Sequence, residues 1–162
     1  MAFSSLAEID SYMKENTCEF WEAVIREEAR DSQQPEMDIV NRMTQMYRAM
    51  KEADEAYDDT LTSHSGLSGK NGKKMADYAA THKCMCGEFG GAVMARAIKM
   101  AESNACMKRI VAAPTAGSCG VVPAILITYE RMTNTSENDM VKALFLSLIH
   151  ISEPTRPISI SY

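Results

Sequence analysis

Ile39, Met43, Met46, Met50, Ala53 and Tyr57 step by four and three along the chain, and no other pattern in it constrains folding so tightly. Apolar side chains at that spacing share one face of an α-helix, whereas a strand places them at every second position. The spacing predicts a long packing helix over residues 39–57. Pro35 suits the first position of such a helix, where a missing N–H is harmless, and Glu36 and Asp38 suit its positive end. A methionine-rich stripe can form an adaptable binding surface, but a seam this regular is expected to face a core or a subunit contact.

Helical signals recur on either side. Ser5 with Glu8, and Asn16 with Glu19, have the spacing of capping boxes, each followed by an apolar edge: Leu6, Ile9 and Met13, then Phe20, Trp21, Val24 and Ile25. Residues 91–105 read as an alanine-rich helix, with Met94, Ala97, Ile98, Ala101 and Ala105 inward and Arg96, Lys99 and Glu102 partly outward. Ser136 and Asp139 cap a further helix. The fold class is therefore mainly α, a helical domain in which a glycine-rich loop leads into a helix N-terminus.

That loop lies in residues 109–129, the densest cluster of Pro, Gly, Thr and Ser in the chain. Pro114 steers Ala113 away from helical angles, Gly117 and Gly120 permit a tight bend, and Val122, Ile125, Leu126 and Tyr129 then fall at helical spacing. Backbone N–H groups at a helix N-terminus, with the Thr115 and Ser118 hydroxyls beside them, suit a carboxylate or a phosphate. A second polar loop is expected over residues 58–74, with His64, Gly66, Gly69 and Lys70, followed by a helical stretch over residues 73–82. Histidine is the residue type most often used as a general base, but an exposed loop histidine without a role accounts for His64 as well.

Composition narrows the functional classes. Acidic residues outnumber basic ones, 22 to 17, and no basic stripe with interleaved aromatics occurs, which excludes the usual signatures of nucleic-acid and anionic-membrane partners. The first ten residues lack the basic start and apolar core of a secretory signal, so a cytoplasmic location is expected. Five cysteines, an odd number without the density of a disulfide scaffold, fit free thiols. Cys84 and Cys86 are too closely spaced for a zinc knuckle, and Cys106 and Cys119 read as semi-buried thiols; no residue is assigned as a metal ligand. From the residues alone, a helical interaction module without catalysis and a cysteine-based metal or redox protein both remain open.

Three collinear segments carry a resemblance. V-A-A-P-T-A-G-S-C-G-V-V-P-A-I-L at 111–126 resembles a signature of the α subunit of iron–sulfur-dependent L-serine dehydratases (L-serine ammonia-lyases). E-S-N-A-C-M-K-R-I at 102–110 is similar to the segment that precedes it in that family, and S-G-L-S-G-K-N-G-K-K-M at 65–75 to another of its loops, with Lys70 where the family usually has glycine. The resemblance implies conversion of L-serine to pyruvate and ammonia, with a [4Fe–4S] cluster whose unligated iron acts as a Lewis acid on the hydroxyl, and a β subunit as partner. It places the substrate carboxylate on Thr115, Ala116, Gly117 and Ser118, and secondarily on Ser68 and Gly69. No residue here matches a catalytic base of the family, and the family's cluster cysteines lie downstream of the matched region. Residues 1–145 are thus expected to form the N-terminal part of an α-subunit domain. Residues 146–162, with S-L-I-H-I-S-E-P-T-R-P in place of small-residue helix, resemble translated adapter sequence, and the expected reading is an unrelated tail on a truncated frame that is inactive alone.

Overall fold

The computed structural model describes residues 6–111 and 118–147, and their regular structure is helical throughout, with no strand among the described residues. Seven helices follow in order: α1 Leu6–Asn16, α2 Phe20–Ser32, α3 Glu36–Glu55, α4 Asn71–Ala79, α5 Gly87–Ala105, α6 Val121–Thr133 and α7 Glu137–Ser147. The mainly α class expected from the spacing is the observed one. Ser5, one half of the first capping box, lies outside the described residues.

The α3 seam behaves as its spacing requires. Ile39, Met43, Met50 and Ala53 are buried and Met46 packs against them, so the stripe is core and not an open binding surface. Tyr57 lies two residues beyond the helix and turns to a different partner, described below. α3 packs against α2 and α7 and reaches α5 and α6. Ile25 from α2, Met100 from α5, Ile127 from α6 and Met140, Val141, Leu144 and Phe145 from α7 complete one apolar cluster. Burying each side chain of this size contributes about 1.5–3 kcal/mol, and the seam supplies the longest continuous share. Trp21 flanks the cluster, donates from Nε1 to Glu19 at 2.6 Å and carries the Lys142 ammonium over its ring.

Two local readings shift. The box that opens α2 joins Glu19 to Glu22, with the Glu19 N–H donating to Glu22 at 2.8 Å, because Asn16 still belongs to α1 and donates to the Tyr12 carbonyl at 2.9 Å. Pro35 is the N-cap of α3 and not its first helical residue. The Ser136–Asp139 cap forms as spaced: the Asp139 N–H donates to Ser136 Oγ at 3.2 Å, and the hydroxyl donates to Asp139 Oδ2 at 2.7 Å.

The larger correction concerns α5. Gly91, Ala95, Met100, Glu102 and Ser103 are its buried residues, while Met94, Ala101 and Ala105 are exposed. An alanine-rich helix has little amphipathic contrast, and two of its charged residues turn inward because partners await them. Arg96 Nε sits 2.9 Å from both oxygens of the buried Asp54 of α3, and its Nη1 donates to the buried Thr128 of α6 at 2.6 Å. This bifurcated bond, with the one to Thr128, ties three helices together; a buried charge is tolerated only with such partners. Likewise the buried face of α6 is Pro123, Ala124, Ile127 and Thr128, leaving Val121, Ile125, Tyr129 and Met132 as an exposed apolar stripe.

Candidate functional site

The polar loop before α4 is built from its own serines. Ser63 N–H donates to the Ser68 carbonyl at 2.8 Å, Gly66 N–H to the Ser63 carbonyl at 2.8 Å, and Ser68 N–H to Ser63 Oγ at 3.1 Å. Such side-chain bonds to nearby backbone hold a turn that has no ladder or helix to support it. Gly69, at φ +149°, presses so closely on the loop entry that a Cβ would stand 2.6 Å from the Leu61 carbonyl oxygen. Lys70 follows at φ +66°, a left-handed conformation in which glycine would be at ease. The helix starts at Asn71, two residues before the expected Lys73, and ends at Ala79. Ser68 and Gly69 are half-buried; His64 is exposed.

The first turn of α4 meets a carboxylate from α5. Asn71 N–H donates to Glu102 Oε1 at 2.7 Å, Gly72 N–H to Oε2 at 3.0 Å, and the Tyr57 hydroxyl to Oε2 at 2.8 Å. Glu102 is 4% exposed. Burial alone would raise its pKa, but the bonds from Gly72, Tyr57 and Asn71 outweigh burial and hold it below the usual carboxylate value. The Tyr57 hydroxyl is correspondingly pushed up to about 12, by burial first and then by its bond to Glu102.

The first turn of α6 is different. Its N-cap, Gly120, has no side chain to offer, no acidic residue stands in the turn, and among the described residues no side chain accepts from the N–H of Val121 or Val122. Pro123 has no N–H to satisfy. Both N-termini rest on the same turns of α5: a Cβ on Gly72 would meet Lys99 Cγ at 2.6 Å, and one on Gly120 would meet the Ala97 carbonyl oxygen at 3.4 Å. Lys99 and Glu102 on one side, and Ala97 and Met100 on the other, stand on nearly opposite faces of α5, so the two helix entrances flank that helix. Of the expected substrate contacts, Ser118 stands half-buried before α6, and Ser68 and Gly69 stand before α4. Thr115, Ala116 and Gly117 lie outside the described residues.

The cysteines divide. Cys119 is buried beside the α6 N-terminus and Cys106 is half-buried, both as expected of packed thiols. Cys86 is exposed, with its sulfur 3.2 Å from that of Cys84, and this contact, then burial, raises its pKa. No three His, Cys, Asp or Glu side chains come together as a metal site among the described residues. A cleft of about 260 Å³ runs between α4 and α5, floored by Ala76, Ala79, Ala92 and Ala95 and edged by His82, Glu88 and Lys99.

Glu102 and Tyr57 are the residues that sequence reasoning missed. A usable signal was present: a carboxylate in the last turn of a helix, where the dipole is negative, calls for a compensating donor elsewhere.

Comparison with known proteins decides the family. The model of the serine dehydratase alpha chain family matches residues 15–159. The chain belongs to that family. It is similar to a probable L-serine dehydratase, alpha chain, of Bacillus subtilis (strain 168), with 29% identity over 143 residues, covering 88% of this chain and 48% of the relative. It is also similar to the L-serine dehydratase, alpha chain, of Peptoniphilus asaccharolyticus, with 28% identity over 143 residues, 87% of this chain and 49% of the relative. The chain therefore spans about half the length of these serine dehydratase relatives. No solved structure matches it. Among the described residues no helix is long and apolar enough to cross a membrane.

Proposed function

We propose that this chain is part of an L-serine dehydratase, a cytoplasmic lyase converting L-serine to pyruvate and ammonia, and that it holds the substrate carboxylate. The family match over residues 15–159 carries the reading. The geometry supports it through α6, whose first N–H groups receive no carboxylate from the described residues and lie next to Ser118. A carboxylate seated there gains oriented donors and the positive end of the helix dipole. Held by its carboxylate, the substrate presents its α-hydrogen and hydroxyl at fixed positions. Loss of the α-proton and of the hydroxyl, together one water, gives an aminoacrylate, which takes up water and hydrolyses to pyruvate and ammonia. Thr115, Ala116, Gly117 and Ser118 are the proposed binding segment, with Ser68 and Gly69 of the loop before α4 as secondary contacts.

The family resemblance also brings a [4Fe–4S] cluster. A cluster with one open iron takes three thiolates at one centre, and the described residues do not offer that set. Its ligands are accordingly proposed in the part of the relatives' length that this chain does not span, and a β subunit is proposed as partner. The exposed stripe of Val121, Ile125, Tyr129 and Met132 favours a second reading, a helical interaction module without catalysis.

Pyruvate formation from L-serine by the enzyme assembled with its partner subunit tests the proposal. Thr115→Ala and Ser118→Ala are each expected to raise KM about tenfold with little change in kcat, the pattern of lost substrate binding. A KM unmoved by both variants would remove the carboxylate from this loop, and an assembled enzyme that binds its partner without forming pyruvate would favour the interaction module.

A further inference from the structure

Glu102 does more than satisfy the first turn of α4. Its Oε1 accepts from Asn71 N–H, at the exit of the polar loop, while its Oε2 accepts from Gly72 N–H and from the hydroxyl of Tyr57, at the loop entry. The two ends of the segment from Tyr57 to Gly72 are thus gathered on one buried carboxylate. The closure is tight: Gly72 leaves no room for a Cβ, which would stand 2.6 Å from Lys99 Cγ and 3.1 Å from Glu102 Oε2. The Lys99 ammonium lies 5.3 Å from the centroid of the Tyr57 ring and holds the entry from the other side. Closing a loop at its neck leaves the interior few conformations, and here the interior is already restricted by the Ser63 and Ser68 bonds.

We propose that Glu102 is a positioning residue: it clamps both ends of the loop that carries Ser68 and Gly69 and so fixes where those two residues stand. The inference rests on the reading of Ser68 and Gly69 as substrate contacts. Glu102 touches no substrate itself. It lies three residues before the end of α5.

Amide hydrogen exchange on this chain, together with serine kinetics on the assembled enzyme, tests the clamp. In Glu102→Gln the amide can accept on one side only, and either Asn71 or Gly72 N–H loses its acceptor. Exchange at Asn71, Gly72 and residues 63–70 is expected to quicken about tenfold, with α2, α3 and α7 unchanged, and KM for L-serine to rise about tenfold with kcat within about threefold. Tyr57→Phe, which removes only the bond at the loop entry, is expected to move both readouts the same way by a smaller factor, and keeps the test alive should the Gln variant not fold. Unchanged exchange at Asn71 and Gly72, or an equal rise in every helix, overturns the clamp. A loosened loop with unchanged KM overturns the positioning role. Ser68→Ala locates the failure: if it alone raises KM, the substrate reading stands without Glu102, and if KM ignores all three variants, the loop leaves the site and the positioning role goes with it.

Discussion

Helices α4 and α6 both begin after a glycine-bearing loop, both lay their first turn against α5, and differ in what meets their N–H groups. At α4 the donors of Asn71 and Gly72 are taken by Glu102, a carboxylate the fold supplies itself. At α6 the cap is a glycine, and no described side chain accepts from Val121 or Val122. An N-terminus filled from within is a fastening, whereas one left open at a loop suits an anion from outside.

The comparison breaks most severely at Glu102. Glu102→Ala leaves the backbone donors of Asn71 and buried Gly72 and a phenol without their acceptor and is expected to cost about 3 kcal/mol, read from the denaturant midpoint. The part of that contribution that depends on the ionised carboxylate is lost in the unaltered protein by acid. Because the folded-state pKa of Glu102 is lowered, its stabilisation is fully present above the unfolded value of about 4.3 and disappears as pH falls through the lower folded value. The difference between Glu102 and Glu102→Ala should therefore be constant near neutrality and shrink only in that acid window.

Making α6 resemble α4 is the converse experiment. A Cβ at Gly120 would meet the Ala97 carbonyl oxygen at 3.4 Å and Met100 Cβ at 3.6 Å, ordinary contacts, so Gly120→Asp can place a carboxylate at the open end. Serine dehydration is expected to fall about tenfold or more in kcat/KM while stability stays within about 1 kcal/mol. Undiminished activity would show that no substrate anion uses that end. The smallest effect is expected at Lys70, whose φ of +66° strains a side chain. Lys70→Gly relieves about 1–2 kcal/mol of that strain but frees the unfolded chain, for a net gain of about 0.5 kcal/mol in thermal or denaturant unfolding.

What could be read from sequence follows from how local each interaction is. The α3 seam repeats every turn, and the Ser136–Asp139 cap spans three residues, so both were legible without knowledge of the rest. The loop before α4 announced itself through Ser63, Gly66 and Gly69. The buried face of α5 did not, because Arg96 and Glu102 look like a wet side by charge and are turned inward by Asp54, 42 residues away, and Gly72, 30 residues away. The helix entrance at Gly120 was legible from its local composition, whereas the Glu102 bonds at the neck of the other loop depend on a long-range contact.

Helix α7 gives the assembly a temporal order. It delivers Met140, Val141, Leu144 and Phe145 to a cluster whose other large share, Ile25, Ile39, Met43, Tyr47 and Met50, is finished by residue 50. During synthesis the α2–α3 hairpin therefore emerges long before its lid. A ribosome stalled ahead of Glu137 would display an open methionine-lined trough, the kind of surface that holdase chaperones capture.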